Sequence, residues 1–397
     1  MKILYIINGL GFSNNTGIGG SDKRAIEIIR KLQKVYPKDS FDILTTESGY
    51  ELFTKKEDLN TNYFVIYRPF WWPKELNKSL IGRVLSYFYI TFISFFKIND
   101  FKDYDIFFPT SDFFFDLIPA FTYKSYFKKI LLCMIHHQIK NPVKRNGSFI
   151  INTLMYMSQR FSLKFISDNS DYLFVYDTPE GNNIKKLLLK SKLKKIFSVK
   201  NGIDTNFIDS IPQPKKIYDA CFLGGIRYSK GIKEFVLIWK EIVKKYKDAK
   251  FVVIGGGSEE IVSNLKQEIK ENKLTNNIIL TGPLSGDKLY AAIKSSRLFL
   301  FPSHEEGWGI ALCEAMYCKL PVICYDLPAY KIFGNDLDKI KIGNWQMLAN
   351  HVIKYLDNKK EIKVKGEELK NIASKYSWQE IAKEEMVIYK KIIKFSS

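Results

Sequence analysis

The 397-residue chain is poor in the residue types that build metal and disulfide sites. It has four histidines and no HExxH or comparable spacing, which excludes the common zinc-hydrolase arrangements. Its five cysteines, Cys133, Cys221, Cys313, Cys318 and Cys324, are scattered, odd in number and never spaced CxxC. That excludes a zinc ribbon or a disulfide framework and suggests a reduced, intracellular setting. The first residues, "MKILYIINGL", hold too short an apolar run for a signal peptide and read as a first buried strand. No repeat longer than a strand–helix unit and no low-complexity tract occurs. Acidic side chains are also scarce, 42 against 61 basic ones, for a net charge of +19. Residues 1–200 carry +12 of this and residues 201–397 carry +7. Such an excess fits an anionic partner (nucleic acid, a phosphorylated substrate or anionic lipid), and equally a coding bias toward Lys, Ile and Asn.

Hydrophobic residues make up 46% of the chain, enough for a core in each of two domains. Short apolar runs alternate with longer amphipathic ones. "KILYII", "DIFF", "KILLCMIHH" and "YLFVYD" read as buried strands of the first half. "YDACFLGGI", "AKFVVIGGG", "NIILTG", "LFLFPS" and "PVICYD" read as those of the second. Continuous apolar runs ending in Gly, Ser, Asp or His suit parallel strands covered on both faces. Helical patterns such as "SDKRAIEIIRKLQKVY" and "KEFVLIWKEIVKKY" separate them, so the expected class is α/β with two doubly wound domains. The boundary is placed at the turn-rich Asn201–Lys216 stretch, giving domains 1–200 and 201–375. Segment 376–397 reads as a terminal helix, with Ser377 as its cap and Glu380 at the capping-box position.

One segment has a different character. Ser79–Lys97 is apolar and aromatic, and the thirteen residues Val84–Phe96 carry no charge. A spanning helix needs about 20 residues. The segment is thus a core helix or one lying in a membrane interface, where the preceding Trp71 and Trp72 would be anchors.

Chemistry concentrates in "SHEEGWGIALCEAMYCKLPVICYD", Ser303–Asp326. Gly307 and Gly309 flank Trp308, so Glu306 sits in a loop after a strand. From Ile310 the sequence favours helix, with Glu314 about one turn in. A helix start offers unpaired N–H groups and a positive dipole end to an anion, and glycines let the backbone approach closely. Carboxylates for hydroxyls beside N–H donors for an anion suit a sugar nucleotide. The bland alternative is a capping Glu306 and a solvated Glu314.

This stretch resembles the signature of retaining glycosyltransferases of family 4 (glycosyl transferases group 1), two glutamates separated by seven residues. "NGLGFSNNTGIGGSDKRAIEI", "SVKNGIDTNFI", "FLGGIRYSKGIKEF", "FVVIGGGSEE", "LTGPLSGDKLYAAIKSSRLFLFPS" and "YSWQEIAKEEM" follow the family in order. The resemblance implies a GT-B fold, two Rossmann-like domains facing each other across a cleft. The acceptor would lie on the N-terminal domain and the nucleotide-sugar donor, UDP- or GDP-linked, on the C-terminal one, with the terminal helix crossing back. It implies a reaction that retains configuration and needs no divalent metal or other cofactor.

The residue roles it implies are these. Lys230 would neutralise the leaving diphosphate. Gly225 stands where the family usually has an arginine, and Arg227, two residues on, would substitute. Gly17, Gly19 and Gly20 would close on the diphosphate, and Gly307, Trp308, Gly309 and Ile310 would line the donor site. Glu306 would touch the transferred sugar and Glu314 the ribose. One of the adjacent His136 and His137 would face the transferred sugar, because neighbouring strand residues point opposite ways. His136 is taken for that place and His137 for acceptor contact. Asp336 and Asp338 form a nominal DxD that reads as a solvated turn rather than a metal site. Lys319 replaces a family glycine at an expected left-handed position, at a cost of about 1 kcal/mol. The expected acceptor is lipid-linked or an oligosaccharide, and the expected setting is the cytoplasm, with peripheral contact on the inner membrane face through the N-terminal domain. No RNA-binding signature supports a nucleic-acid partner. Two other readings stand beside this one: a degenerate homologue that binds anionic lipid or glycan without transfer, and a nucleotide-sugar epimerase.

Overall fold

The computed structural model describes residues 1–12, 19–56, 58–73, 76–77, 79–145 and 148–396. The chain divides into two units. The first comprises Met1–Lys144, Phe149–Asn201 and Trp378–Ser397, and the second comprises Arg145–Ser148 and Gly202–Ser377.

The first unit is built on seven parallel strands: β1 (Lys2–Ile7), β2 (Ser40–Thr46), β3 (Tyr63–Ile66), β4 (Ile106–Pro109), β5 (Ile130–Ile135), β6 (Tyr172–Tyr176) and β7 (Lys195–Val199). They lie in the order β3-β2-β1-β4-β5-β6-β7. Every residue of β4, β5 and β6 is buried, as expected of strands covered on both faces. β2, β3 and β7 escape the search for apolar runs: β2 contains Asp42, β3 is four residues long, and β7 begins with an exposed lysine at the sheet edge.

The terminal helix Trp378–Ser396 belongs to this unit and packs on the helix Gly20–Val35. Their contact holds a buried polar knot. Arg24 pairs with Glu385 at 2.8 Å, Tyr389 donates to the same carboxylate at 2.9 Å, and the Tyr5 and Tyr389 hydroxyls share a hydrogen bond of 3.0 Å.

The helix Leu80–Phe95 covers most of the unusual apolar segment, capped by Ser79, whose Oγ accepts from the Gly82 N–H at 2.9 Å. One side of it joins the core through Ile90, and the other is exposed. Gly82, Ser86, Ile90 and Ser94 are buried, while Ile81, Leu85, Phe88 and Phe92 are exposed. Among the described residues no helix is long and apolar enough to cross a membrane.

The second unit has six parallel strands: β8 (Tyr218–Leu223), β9 (Phe251–Ile254), β10 (Ile278–Gly282), β11 (Ser296–Phe301), β12 (Val322–Tyr325) and β13 (Asp338–Ile340), in the order β10-β9-β8-β11-β12-β13. Both sheets are therefore doubly wound. Strand order reverses between β1 and β4 in one and between β8 and β11 in the other, the places where such sheets hold ligands. At the carboxyl end of the second sheet the loops touch through glycine. A side chain at Gly255, with φ of +146°, would strike the Gly224 carbonyl, and Gly224 N–H donates to Ile254 O at 3.0 Å. Lys319 adopts φ of +62° just beyond the helix Ile310–Tyr317, so the lysine occupies the left-handed conformation its sequence position suggested.

The Arg24–Glu385 pair makes a clear test. Removing one partner strands a buried charge, at about 3–5 kcal/mol, whereas replacing both with apolar groups is close to neutral. Arg24→Met should lower the urea midpoint of the first unit sharply, and Arg24→Met with Glu385→Leu should recover most of the loss.

Candidate functional site

The reversal between β8 and β11 brings two loops together. After β8 the chain runs through Gly224, Gly225 and Arg227 into a short 3-10 turn, Tyr228–Lys230, and then the helix Ile232–Lys245. After β11 it runs through Ser303–Gly309 into the helix Ile310–Tyr317. The loops are tied by the His304 N–H, which donates to Ser229 O at 2.8 Å. Gly231, with φ of +75°, lies so close to the Pro302 carbonyl that no Cβ fits.

This closeness sets Lys230 against Glu306 as an ion pair, both side chains mostly buried. The Lys230 ammonium also lies 5.7 Å from the centre of the Phe301 ring. Neighbouring groups hold the loop. His304 Nε2 and Glu234 Oε1 are 2.6 Å apart, and Arg145 grips Glu305 with two nitrogens at 2.9 Å. The Arg227 side chain folds back over Gly225: a Cβ built at Gly225 would lie 3.1 Å from Arg227 Nε. The guanidinium thus fills the space where a side chain at 225 would begin.

Gly309 is required twice over, by φ of +100° and by the Tyr330 ring, 3.1 Å from where its Cβ would be. Ile310 opens the helix, and Glu314 within it is buried, accepting from the Tyr290 hydroxyl at 2.7 Å. It is not the solvated residue of the bland reading. Gly307 lies in the same loop. The Trp308 ring turns into the unit, edge-on to Phe333 and Tyr376, so this residue offers a ligand its backbone rather than its ring. Lys230, Arg227, Gly225, Glu306, Gly307, Gly309, Ile310 and Glu314 thus lie on the loops after β8 and β11 or on the helix that follows β11.

The nominal DxD is differently placed from the sequence expectation. Asp336 is exposed and lies 3.8 Å from Lys365, but Asp338 begins β13 and accepts from Tyr355 at 2.6 Å. Among the described residues no three His, Cys, Asp or Glu side chains gather as a metal site.

In the first unit, Gly19 caps and Gly20 begins the helix Gly20–Val35, while Gly17 lies outside the described residues. His136 and His137 follow β5. His136 Nε2 is 2.6 Å from Thr110 O, and Nδ1 is 2.8 Å from the Tyr176 hydroxyl. A carbonyl only accepts, so Nε2 carries the proton and Nδ1 accepts from Tyr176. Burial pushes the His136 pKa down to about 3, so the ring is neutral. It supplies no cationic charge, and its donor is already used.

The His137 carbonyl accepts from Gln159, whose amide also donates to Asp112 at 2.8 Å. Burial raises the Asp112 pKa, countered by the Gln159 bond and by the nearby His137. Asp116 accepts from the Asn8 N–H at 2.9 Å and from Ser111, and burial pushes its pKa up to about 8. Sequence reasoning missed Asp112 and Asp116, although "TSDFFFD" directly follows β4. It also passed over His304 and Glu305, inside the very stretch it singled out.

Because His136 is neutral in the native state and has an ordinary pKa when unfolded, the unfolded chain binds the extra proton between about pH 6.5 and 3. This contribution to stability is complete above pH 6.5 and declines as pH falls. The raised pKa of Asp116 acts in the opposite direction over the same range, so the check is a difference: on going from pH 7.5 to pH 5 the melting temperature of the native chain should change less favourably than that of His136→Gln.

Residues 204–375 match the family described as Glycosyl transferases group 1. An uncharacterized glycosyltransferase of Methanocaldococcus jannaschii is 25% identical over 319 residues, 77% of this chain and 79% of that protein. A phosphatidylinositol N-acetylglucosaminyltransferase component of Arabidopsis thaliana is 23% identical over 63% of this chain and 54% of its own length. Among solved structures, Anabaena HepE in complex with UDP and glucose superposes with a TM-score of 0.75 at 13% identity, covering 98% of this chain and 100% of its own. Sucrose-phosphate synthase from Thermosynechococcus elongatus gives 0.76 at 15% identity, with 98% of each chain covered. The GT-B fold, two Rossmann-like parallel-sheet units, is therefore shared, and residues 204–375 are similar to the glycosyl transferases group 1.

Proposed function

We propose that this glycosyltransferase moves a hexosyl group, with retained configuration, from a UDP- or GDP-linked donor to a lipid-linked or glycan acceptor in the cytoplasm. The observation that carries the reading is the Lys230–Glu306 pair, set by the strand reversal between β8 and β11. A departing nucleoside diphosphate gains negative charge, and fixed cations nearby stabilise that charge as it grows. Lys230 and the folded-back Arg227 supply them, which is why the proposed reaction needs no divalent metal. With Lys230 engaged by phosphate, Glu306 is released to accept from hydroxyls of the transferred sugar. Glu314, oriented by Tyr290, is placed for the ribose hydroxyls. The N–H groups at the start of the helix Ile310–Tyr317 belong to the same loop end.

In this reading the protein positions the donor and stabilises charge, and no carboxylate need act as a nucleophile. The UDP and glucose held by HepE and the phosphatidylinositol acceptor named for the Arabidopsis relative support the choice of donor and acceptor classes.

The test is a transfer assay with UDP- and GDP-sugars, with and without EDTA, reading the anomeric configuration of the product by NMR. Glu306→Ala is expected to lower turnover by about 10²–10³, the scale for losing one transition-state contact, when assayed well below a melting temperature that itself falls because Lys230 is left without its partner. Full activity in that variant would remove Glu306 from the site. Loss of turnover in EDTA would overturn metal independence, and an inverted product would overturn retention. A donor epimerised without any acceptor would replace the whole reading.

A further inference from the structure

Two helices of the first unit bury one side in the core and leave a second apolar stripe exposed. In the helix Leu80–Phe95 the side packed inward carries Gly82, Ser86, Ile90, Thr91 and Ser94, with Tyr87, Tyr89 and Ile93 packed against the same core. The hydroxyls of Ser86 and Ser94 bond to their own helix, at Arg83 O (2.7 Å) and Ile90 O (2.8 Å). The outward side carries Ile81, Leu85, Phe88 and Phe92, spaced as one helical stripe, with Phe88 60% and Phe92 58% exposed. The helix Phe149–Asn169 has the same two apolar sides. Asn152, Gln159, Ser162, Leu163 and Ile166 are buried, while Ile150, Leu154, Met157 and Phe161 form an outward stripe, the last three 55%, 62% and 58% exposed. Both helices pack against the helix Phe114–Phe127, so the stripes belong to one helical layer. Scattered exposed apolar residues are ordinary, but two aligned stripes on one layer are not.

We infer that this layer is a docking surface for an anionic lipid bilayer. Charge singles out the occupant. Segments 79–97 and 142–167 contain no acidic residue, while Arg83, Arg160 and Lys164 are exposed on the two helices. The second helix carries one acid, the exposed Asp168 near its C-terminal end, and apolar stripes bordered mainly by cations match anionic headgroups above acyl chains. Phe70 and Trp71, both exposed, precede the first helix and add interfacial aromatics. The first helix, 16 residues and about 24 Å long, is too short to span the roughly 30 Å hydrocarbon core. It lies on the bilayer and does not cross it.

The face is also joined to the carboxyl end of its sheet. Tyr87, on the flank of the first helix, donates to Gly9 O at 2.9 Å, and Asn77 bonds to Phe12 O at 3.3 Å. Docking therefore sets the bilayer beside the layer that holds the loop after β1. The surface goes beyond the proposed reaction and does not depend on it, because binding is measured without donor or turnover.

The experiment is flotation of the full chain with vesicles of phosphatidylglycerol mixed into phosphatidylcholine, and of phosphatidylcholine alone, at low and high salt. The wild-type protein is expected to float with the anionic vesicles, less so at high salt. Phe88→Ser with Phe92→Ser, and separately Leu154→Ser with Phe161→Ser, should each lower the partition coefficient at least about tenfold, equivalent to about 1.4 kcal/mol. Val364→Ser, an exposed apolar residue of the second unit, should bind as wild type. No flotation with either vesicle would overturn the inference, as would unchanged binding by both double variants. A dimer in sedimentation that Phe88→Ser with Phe92→Ser turns into monomer would assign the face to a second copy of the chain instead. Transfer activity lost with vesicle binding intact, or the reverse, separates this inference from the proposed reaction.

Discussion

The site in the second unit depends on one topological constraint. Parallel strands need a crossover connection, and that crossover is right-handed. A sheet that begins at its centre, builds outward to one edge and then returns must set two strands distant in sequence side by side. Here these are β8 and β11. Their connections leave in opposite directions, so the two loops at their carboxyl ends have no helix between them and can touch. Lys230 and Glu306 are 76 residues apart in the chain and form an ion pair for that reason. The Gly231–Pro302 approach, the Gly255–Gly224 approach and the His304–Ser229 bond are the fine adjustments that keep the loops close.

The ion pair has a second consequence. Two mostly buried charges held against each other need no ligand to be satisfied, and burying either one alone would be costly. A donor that places phosphate by Lys230 and hydroxyls by Glu306 exchanges one set of charge-assisted bonds for another. The exchange reduces net ground-state affinity but leaves both groups already oriented. Preorganisation of this kind favours stabilisation of charge that appears only as the diphosphate departs. The supporting residues serve the same end: Glu234 orients His304, Arg145 fixes Glu305, and Tyr290 fixes Glu314.

How legible these features were in the sequence follows from what kind of signal each leaves. Central parallel strands are uniformly apolar and were visible at once, whereas β2, β3, β7 and β13 were not. They are short, edge-lying or interrupted by a charge, and only pairing with a neighbour makes them strands. Lys230 and Glu306 were legible because glycines mark the places where their loops come close. Asp112, Asp116 and Gln159 carry no such mark. Their burial and altered proton affinity arise from elements brought together by folding, as Gln159 reaches from its helix to Asp112 after β4. His136 illustrates the opposite limit. Its place at the end of β5 was readable, but its neutral state was not, since that depends on Thr110 and Tyr176 from two other strands' ends.

The apolar helix Leu80–Phe95 shows why periodicity alone could not choose between core and interface. A helical stripe of Ile81, Leu85, Phe88 and Phe92 has the same spacing whether it faces inward or outward. What decides is the character of the opposite stripe. Gly82, Ser86 and Ser94 are small enough for close packing, and the two serine hydroxyls are satisfied by their own helix, so that side can be buried at little cost. The stripe opposite it, Ile81, Leu85, Phe88 and Phe92, stays exposed among the described residues. Left in water, the outward stripe forgoes the gain that large apolar groups take from burial. That the fold keeps them outward on two neighbouring helices makes sense where the outside of that layer is itself apolar.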